Sequence, residues 1–599
     1  YNNEGQLILT RTTHSIDIAK CANQFTFKEM RGFTVHFNPV IKNQNGFSIV
    51  KNAEISLIGT GRMEMPSEIS EAFVSLYENL AVNYSDSYLH NSPLKKPSML
   101  IISHNALAND LSSYVKWRKA SGFDVNVITK ETIGNNPTNT QIKQAIVNFY
   151  NQATNKPDYL LLLGDSNVSS YYKLPTYYFN APSYPELCAT DLDYALISGE
   201  DYFPEMLIGR MCIDSNTELQ TILSKTIRYE RAPATNTNSW QNKALVVAGN
   251  YASGSLIPTT PVDMSRWIYE KLRSSGYPQV DTVFYQNTSG SSTAPEYLTT
   301  QIINAINSGV QYVSYRGWGS GNGWQFPIFF RDHVNATNNG GRTPVVYSIV
   351  CDNGDYDNES YDPCFGEVWM TKGSPSEPDG AVAFVGPSFL NTSTPLNNSI
   401  SSGMFRSLLD EHARIFGTTV MRGKIELYNN FPNEHANDSN APFYFKIYNT
   451  LSDPSLSLWK LNPLTISHNL PDQITQSTNY IEVQVPGINH GYITGTKNDN
   501  DYTYARIING YAMLPVDNNV NGNLKVTISA KNYLPIVKTI TVNASNHIGI
   551  VAYNIPNGGL HSGQTVQLSL SVKNFGTEAV SNASAVISST SEYISFSNE

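Results

Sequence analysis

Ser98–Ser103 (SMLIIS) begins the part of the sequence that decides the fold. This short apolar run predicts a buried strand, and an amphipathic helix is predicted after it over 107–121. A second strand follows at Asp124–Thr129 (DVNVIT), a second helix at Asn139–Gln152 and a third strand at 159–164 (YLLLLG). Because strands that alternate with helices form parallel sheets covered by helices, this stretch predicts an α/β fold.

The alternation continues along the chain to about residue 411. Further strands and helices are predicted, in chain order, at 244–249, 264–275, 279–285, 295–308, 312–315, 345–351, 380–386 and 398–411. Ligands of such sheets bind at the carboxyl ends of the strands, so functional side chains are expected in the loops there. The sequence contains no HExxH, no GxSxG and no Walker loop, and the glycine run at 317–323 lacks the spacing of a dinucleotide site.

The sequences on both sides of this α/β part predict β-rich structure. Before it, short strands are predicted at 6–9, 25–27, 32–37 and 54–57, followed by a helical stretch within 66–90. After 452–459 (SDPSLSLW), strands with turn signals replace the helices, which is typical of an immunoglobulin-like β-sandwich. The predicted domains are an N-terminal β-rich region (1–95), two α/β subdomains (96–235 and 236–462), an immunoglobulin-like β-sandwich (463–546) and a partial second β-sandwich (547–599).

The composition excludes several classes of protein. Lys and Arg number 40 against 50 Asp and Glu, and this net charge of −10 disfavours nucleic acid as a partner. No apolar run has the length of a membrane-spanning helix. The 36 tyrosines and the 15% of charged residues are typical of exported proteins, and the polar start at Tyr1 is expected of a mature or trimmed chain. The five cysteines form no CxxC pair, which disfavours a zinc ribbon.

Two predicted strands end in loops rich in glycine and asparagine. One is 312–324 (YVSYRGWGSGNGW); the other is 344–355 (PVVYSIVCDNGD), which contains Cys351 and is followed by 363–367 (PCFGE). With other motifs in the same order, over residues 96–545, this pattern resembles the gingipain family of cysteine peptidases. Those motifs are Asp165 after the third strand, 191–194 (DLDY), 199–201 (GED), 207–210 (LIGR), 227–231 (IRYER), 380–388 (GAVAFVGPS) and 453–456 (DPSL).

The resemblance implies both a fold and a reaction. The fold would be a caspase-like α/β domain of two subdomains with mostly parallel sheets, followed by an immunoglobulin-like module. Cys351 would be the nucleophile that attacks the scissile carbonyl. The backbone N–H groups of Cys351 and Gly319 would hold the oxyanion. The resemblance further implies a secreted or cell-surface protein, expected to be monomeric, that acts on protein or peptide substrates.

The sequence departs from the family at the general base. The family has a histidine in a Gly-His-Gly turn, and here that turn is Gly317-Trp318-Gly319. An indole N–H donates but has no titratable nitrogen, so Trp318 cannot accept the thiol proton. His333, one short loop downstream, and His435 are the candidates for a replacement base. Arg316 could stabilise a thiolate through its charge without accepting a proton.

Several of these residues also have structural interpretations. Cys351 could be a buried structural thiol, and Cys364 is expected to be in the core. Trp318 and Trp324 could line a substrate groove as an aromatic platform, or could only pack. Asp191 matches an acid that implies a pocket for an Arg or Lys side chain, and its alternative is a turn or N-cap residue. Arg210 is expected to anchor a helix or loop.

The acidic residues after Cys351 raise the question of a metal. Asp352, Asp355, Asp357 and Glu359 place several carboxylates in a short loop, so a structural calcium ion is one interpretation and a solvated loop is the other. No catalytic metal site is assigned, and no cofactor is expected to be required. The leading hypothesis is a secreted cysteine endopeptidase that works by thiol acyl transfer. The alternatives are a pseudopeptidase that acts as a surface binding or scaffold protein, and a purely structural surface protein.

Overall fold

The protein, represented by a computed structural model, divides into two compact units. One consists of residues 1–118 and 123–464, and the other of residues 119–122 and 465–599. Among the described residues, no helix combines the length and the hydropathy that crossing a bilayer requires. The structure describes residues 19–43, 46–52, 66–167, 170–182, 184, 186–231, 240–250, 259–286, 294–517, 520–543, 548–556, 562–575, 579–582, 584–589, 591 and 593–597.

The N-terminal part of the first unit is a pair of hairpins and a short helix. The elements are β1 (Ala19–Phe27), β2 (Met30–Phe37), β3 (Val40–Asn43), β4 (Gly46–Ile49) and α1 (Val74–Leu80). The strands predicted at 25–27 and 32–37 lie within β1 and β2, and those predicted at 6–9 and 54–57 lie outside the described residues. The hairpin packs through aromatic rings, since Phe27 contacts Phe73 and Phe203 at centroid distances of 5.2 and 5.4 Å.

The helix predicted within 66–90 is shorter than expected. After α1 the chain forms two 3-10 turns, Tyr84–Asp86 and Tyr88–Asn91. Short polar side chains compete with helical hydrogen bonding here, as the Ser87 hydroxyl donates to the Tyr84 carbonyl at 2.6 Å.

The first α/β half contains a four-stranded parallel sheet in the order β10-β7-β5-β6. Its apolar strands and the helix at 139–152 share a core that includes Leu100, Ile142, Ile146 and Leu160. This half confirms the alternation predicted from residue 98 onward. Its elements are β5 (Ser98–Ser103), α2 (Ala108–Ala120), β6 (Asp124–Thr129), α3 (Lys130–Ile133), α4 (Asn139–Gln152), β7 (Tyr159–Leu163), β8 (Tyr177–Asn180), β9 (Leu187–Thr190), α5 (Leu192–Ala195), β10 (Leu207–Met211) and α6 (Asn216–Arg231).

The second α/β half contains a six-stranded sheet in the order β12-β11-β13-β17-β18-β19. All neighbours in this sheet are parallel except β18 and β19. A small antiparallel sheet, β14-β15-β16, follows β13. The elements are β11 (Lys243–Asn250), α7 (Pro261–Ser274), β12 (Gln279–Gln286), α8 (Glu296–Asn307), β13 (Tyr312–Arg316), β14 (Gly319–Ser320), β15 (Gly323–Gln325), β16 (Ile328–Phe330), α9 (Arg331–Asn335), β17 (Val345–Ser348), α10 (Phe365–Thr371), β18 (Ala383–Pro387), α11 (Thr394–Leu409), α12 (Phe416–Asn430), α13 (Asn440–Ile447) and β19 (Tyr448–Thr450).

The strand predicted at 345–351 ends earlier, at Ser348. Beyond that point side chains take the carbonyl groups that a longer strand would pair: the Arg316 guanidinium donates to the Ile349 carbonyl, and the Thr392 hydroxyl donates to that of Val350 at 2.8 Å. Cys351 therefore lies in the turn after β17, at the carboxyl edge of the sheet.

The second unit contains one seven-stranded sheet in the order β20-β26-β25-β22-β23-β24-β21. It encloses an apolar core that includes Val483, Ile493, Leu514, Val526 and Ile540. A separate hairpin, β27-β28, is described in the region predicted to begin a second sandwich. The immunoglobulin-like classification and the five domain boundaries stay predictions. The elements are β20 (Gln473–Thr475), β21 (Tyr480–Gln484), β22 (His490–Thr496), β23 (Tyr502–Ile508), β24 (Tyr511–Pro515), β25 (Leu524–Ser529), β26 (Ile536–Asn543), β27 (Ile548–Asn554) and β28 (Ser569–Asn574).

Candidate active site

The thiol of Cys351 is held by a hydroxyl group. Its Sγ lies 3.1 Å from Oγ1 of Thr392, a residue in the loop between β18 and α11. Burial raises the pKa of the Cys351 thiol above its usual value, while the hydrogen bonds from Thr392 and the positive charge of Arg316 oppose that rise. A thiol in this environment is largely protonated at neutral pH.

A chain of hydrogen bonds leads to Thr392 from the adjacent helix and strand. The Asn397 Nδ2 group donates to Thr392 Oγ1 at 2.8 Å, and the Tyr448 hydroxyl donates to Asn397 Oδ1 at 2.5 Å. Both side chains are almost completely buried. Since buried polar groups with defined partners hold their orientation, this chain fixes the position of the Thr392 hydroxyl.

The turn at Gly319 lies directly against the turn at Cys351. A Cβ atom at Gly319 would lie 2.8 Å from the Cys351 carbonyl oxygen and 3.0 Å from Asn353 Nδ2, so only glycine fits there. The Asn353 amide connects the two turns, donating to the Ser320 carbonyl at 2.5 Å and accepting from the Ser348 hydroxyl at 2.7 Å. Cys351 and Gly319 are thus brought together, as the resemblance predicted.

The two predicted aromatic site residues have different environments. Trp318 is 50% exposed, and its ring contacts that of Phe326 at 5.9 Å. The prediction that Trp324 lines a groove is wrong, because its side chain is 0% exposed. The Trp324 ring stacks on that of Tyr315 at 4.4 Å, and its Nε1 donates to the Ser348 hydroxyl at 2.9 Å. Trp324 therefore supports the turn that contains Asn353 from within the core.

Neither of the two candidate replacement bases contacts the thiol. His333 lies in the first turn of α9, and its Nδ1 accepts the Phe330 N–H at 2.9 Å. His435 stacks on the ring of Tyr428 at 3.6 Å and bonds the carbonyl of that residue through Nε2. The segments 251–258 and 287–293, which follow β11 and β12 and lie outside the described residues, contain no histidine. Within the described part of the chain, the hydrogen-bond partner of the thiol is Thr392.

Asp191 is part of a buried ion pair. The guanidinium of Arg210 binds both of its carboxylate oxygens, with Nε–Oδ2 and Nη2–Oδ1 distances of 2.7 and 2.6 Å. Arg210 also donates to the carbonyl groups of Gly164 and Leu174, each at 2.8 Å, which confirms that it anchors loops. The carboxylate predicted to receive a basic substrate side chain is thus already bound by an arginine of the same chain.

The acidic residues after Cys351 are held separately. The carboxylate of Asp352 accepts the Gly321 N–H at 3.0 Å, and that of Asp357 accepts from the Ser166 and Tyr178 hydroxyl groups. Burial and repulsion from Asp355 raise the pKa of Asp352 to about 8. Burial and repulsion from Asp357 and Glu186 raise the pKa of Asp355 to about 7.

Metal-ligand geometry occurs elsewhere in the described residues. The acidic and thiol groups that converge within 4.8 Å are Asp165 with Cys212 and Glu367, and Asp165 with Asp214 and Asp362. None of the four acids of the 352–359 loop belongs to these sets. Structural calcium therefore stays a prediction without a defined ligand set.

The sequence analysis missed Thr392, Asn397 and Asn353. A signal for the first two was present, since a polar segment (SFLNTSTPLNN, 388–398) follows the buried strand predicted at 380–386. That strand, β18, neighbours β17 in the sheet, so its carboxyl end must lie beside Cys351.

Comparison with known proteins finds similarity to gingipains. Gingipain R2 from Porphyromonas gingivalis is 25% identical over 567 residues, covering 92% of this chain and 73% of the relative. Lys-gingipain HG66 from the same species is 25% identical over 560 residues, covering 86% of this chain and 30% of the relative. The crystal structure of the Arg specific cysteine proteinase gingipain R superimposes with a TM-score of 0.65 at 24% identity, covering 75% of this chain and 98% of that one. This likeness confirms the predicted caspase-like fold.

The sequence model of peptidase family C25 matches residues 92–459, which is more than half of the chain. Every residue of the site described above lies within this range. The chain belongs to peptidase family C25.

Proposed function

We propose that this chain is a pseudopeptidase that binds polypeptide beside Cys351 and does not turn it over. The observation that carries the proposal is that, among the described residues, the thiol has the Thr392 hydroxyl and not an imidazole as its hydrogen-bond partner. An aliphatic hydroxyl does not accept a proton at neutral pH, so Thr392 cannot act as the general base. Burial raises the pKa of the thiol and further lowers the fraction that is nucleophilic.

The retained architecture supports binding. The turns at Gly319 and Cys351 stay clamped by Asn353, and the half-exposed Trp318 offers an aromatic surface beside them. Since Arg210 already binds Asp191, the proposal includes no preference for basic side chains at that position. We place the protein outside the cell or on its surface, as a monomer that requires no cofactor.

Slow acyl transfer by Cys351 is the second candidate, and the hydrogen bond between its sulfur and the Thr392 hydroxyl favours it. Here a thiolate would form by loss of its proton to water and attack the scissile carbonyl, forming a C–S bond. The amine would leave with a proton from water, and a water molecule would then cleave the thioester to release the acid and restore the thiol.

The test measures binding and cleavage of one unfolded polypeptide. Carboxymethylated casein is titrated calorimetrically into the wild type and Cys351→Ala, and the mixtures are then analysed by mass spectrometry. We expect both proteins to bind casein equally and neither to cleave it. Cleavage that disappears in Cys351→Ala would establish the endopeptidase, and absence of binding would refute the binding role.

The variant Trp318→His is the matched positive control for chemistry. It restores an imidazole at the family's position, and a well-placed general base contributes about 10²–10⁴-fold. We expect iodoacetamide to modify Cys351 at least ~10-fold faster at pH 7 in this variant than in the wild type. Trp318→Gln, which introduces no base, is expected to leave the rate near that of the wild type.

A further inference from the structure

We infer that Thr392 is a positioning residue that sets the protonation of Cys351, with Asn397 and Tyr448 fixing the direction of its hydrogen bonds. The inference rests on the proposed assignment of Cys351 as the reactive group of the site. In this site the Cys351 thiol loses its proton to the solvent and not to a base of the chain. Hydrogen-bond donors then stabilise the thiolate.

The direction of the chain follows from the donors it contains. The Tyr448 hydroxyl donates to Asn397 Oδ1, so the Asn397 amide presents its Nδ2 group to Thr392. Oγ1 of Thr392 therefore accepts one hydrogen bond and keeps one hydrogen and one lone pair. Two neighbours compete for these: the Val350 carbonyl at 2.8 Å, which can only accept, and the Cys351 sulfur at 3.1 Å.

The Thr392 hydroxyl thus has two arrangements. When the thiol is protonated, its S–H donates to Oγ1 and the Thr392 O–H donates to the Val350 carbonyl. When the thiol loses its proton to hydroxide or buffer, the Thr392 O–H turns to the sulfur and the Val350 carbonyl gives up that bond. No group of the chain gains the proton, which distinguishes this site from a thiol–imidazole pair.

Other charged and titratable groups also face the thiol. Arg316 on β13 favours the thiolate, and Asp352 in the same turn disfavours it. Three phenols also lie near the thiol: those of Tyr315 on β13, Tyr444 on α13 and Tyr448 on β19. Burial raises their pKa values, and the negative charge of a Cys351 thiolate raises them further. These phenols stay neutral where the thiol titrates, so Thr392 is the switchable contact.

The test is the pH dependence of Cys351 alkylation. The full chain is treated with iodoacetamide between pH 6 and 10.5, and modification of the Cys351 peptide is followed by mass spectrometry. Hydrogen bonds to charged groups are worth enough to shift a pKa by about one unit. We therefore expect Thr392→Val to move the midpoint up by about one unit and to slow alkylation at pH 8 by ~10-fold. Thr392→Ser, which keeps the hydroxyl, is expected to restore the wild-type profile within about twofold.

A second variant keeps the test decisive if Thr392→Val does not fold. Asn397→Asp replaces the donor by an acceptor that attracts the Thr392 O–H away from the sulfur, so the midpoint is again expected to rise. Near-ultraviolet circular dichroism establishes that each variant is folded. A midpoint that stays within 0.2 units in folded Thr392→Val or Asn397→Asp would overturn the inference.

The same profile separates this inference from the proposed function. A wild-type profile with a shoulder near the pKa of histidine, about 6.5, would show that an imidazole serves the thiol and would refute the pseudopeptidase. The shift caused by Thr392→Val is measured at the high-pH limb and is read independently of that shoulder.

Discussion

The carboxyl ends of the two α/β sheets carry polar networks of opposite kinds. At the first sheet, all five N–H groups of Arg210 have acceptors, and two of these acceptors are the oxygens of Asp191. At the second sheet, a chain of hydrogen bonds ends at the titratable sulfur of Cys351. The first network is closed and neutral, and the second has one end that can change its charge.

This difference shows how one architecture separates stability from reactivity. A closed, buried ion pair loses much when one partner is removed, because the other charge is left without compensation. Removing a member of the open, neutral chain costs less, about 1–3 kcal/mol for a buried polar group left without its partner, and it also changes the reactivity of the thiol. Variants at the two sheets should therefore affect different measurements.

The largest effect is expected from Arg210→Met. This change leaves the Asp191 carboxylate buried without its partner, and breaking such a pair costs about 3–5 kcal/mol of unfolding free energy. Urea denaturation followed by circular dichroism measures the loss. The alkylation midpoint of Cys351 is expected to stay unchanged, because Arg210, which contacts the loop after Cys351 at the Tyr356 ring, is not among the charges that shift the pKa of the thiol.

The exposed pair Arg266–Asp263 supplies the control for Arg210. Its side chains are 55% and 48% exposed, so Arg266→Met is expected to cost about 0–1 kcal/mol. If the two arginine variants lost similar stability, or if Arg210→Met shifted the thiol titration, the separation between the two networks would not hold.

A smaller effect should distinguish the two tryptophans beside the reactive turn. Trp324→Phe removes the donor to Ser348 and leaves a gap in the core, at a cost of about 2–3 kcal/mol. Trp318→Phe changes a half-exposed ring and is expected to stay within about 0.5 kcal/mol. Urea denaturation of both variants checks the pair. Equal losses would contradict the assignment of Trp324 to the core and Trp318 to the surface.

The contrast between these tryptophans also shows which features could not be predicted from the sequence. Apolar runs and their alternation with helices were sufficient to predict both parallel sheets and the place of Cys351 at a strand end. The orientation of Trp324 depends on the β14–β15 hairpin, where it pairs with Gly319, and no periodicity in the glycine-rich run predicts that pairing.

The sequence also did not predict the partners that Cys351 and Asp191 have far along the chain. Thr392 is 41 positions from Cys351 and Arg210 is 19 positions from Asp191. The first contact depends on the order of strands within a sheet, since β17 and β18 are neighbours. The second joins β10 to the residue that follows β9, a strand of a separate hairpin. The sequence could therefore identify a charged or nucleophilic residue but could not say whether a neighbour already satisfied it.

The smallest effect concerns the acids beside the thiol. The pKa values of Asp352 and Asp355 are raised to about 8 and about 7, so the folded protein holds protons there that the unfolded chain releases above its pKa near 4. The stabilisation is complete below the unfolded pKa and is lost as pH rises through about 7 to 8. The unfolding free energy should therefore fall between pH 5 and 8.5.

Asp355→Asn should remove about 1 kcal/mol of that fall, whereas Asp263→Asn, at an exposed site, should leave the fall unchanged. A fall of the same size in Asp355→Asn and the wild type would mean that the folded protein does not hold a proton on Asp355 above the unfolded pKa.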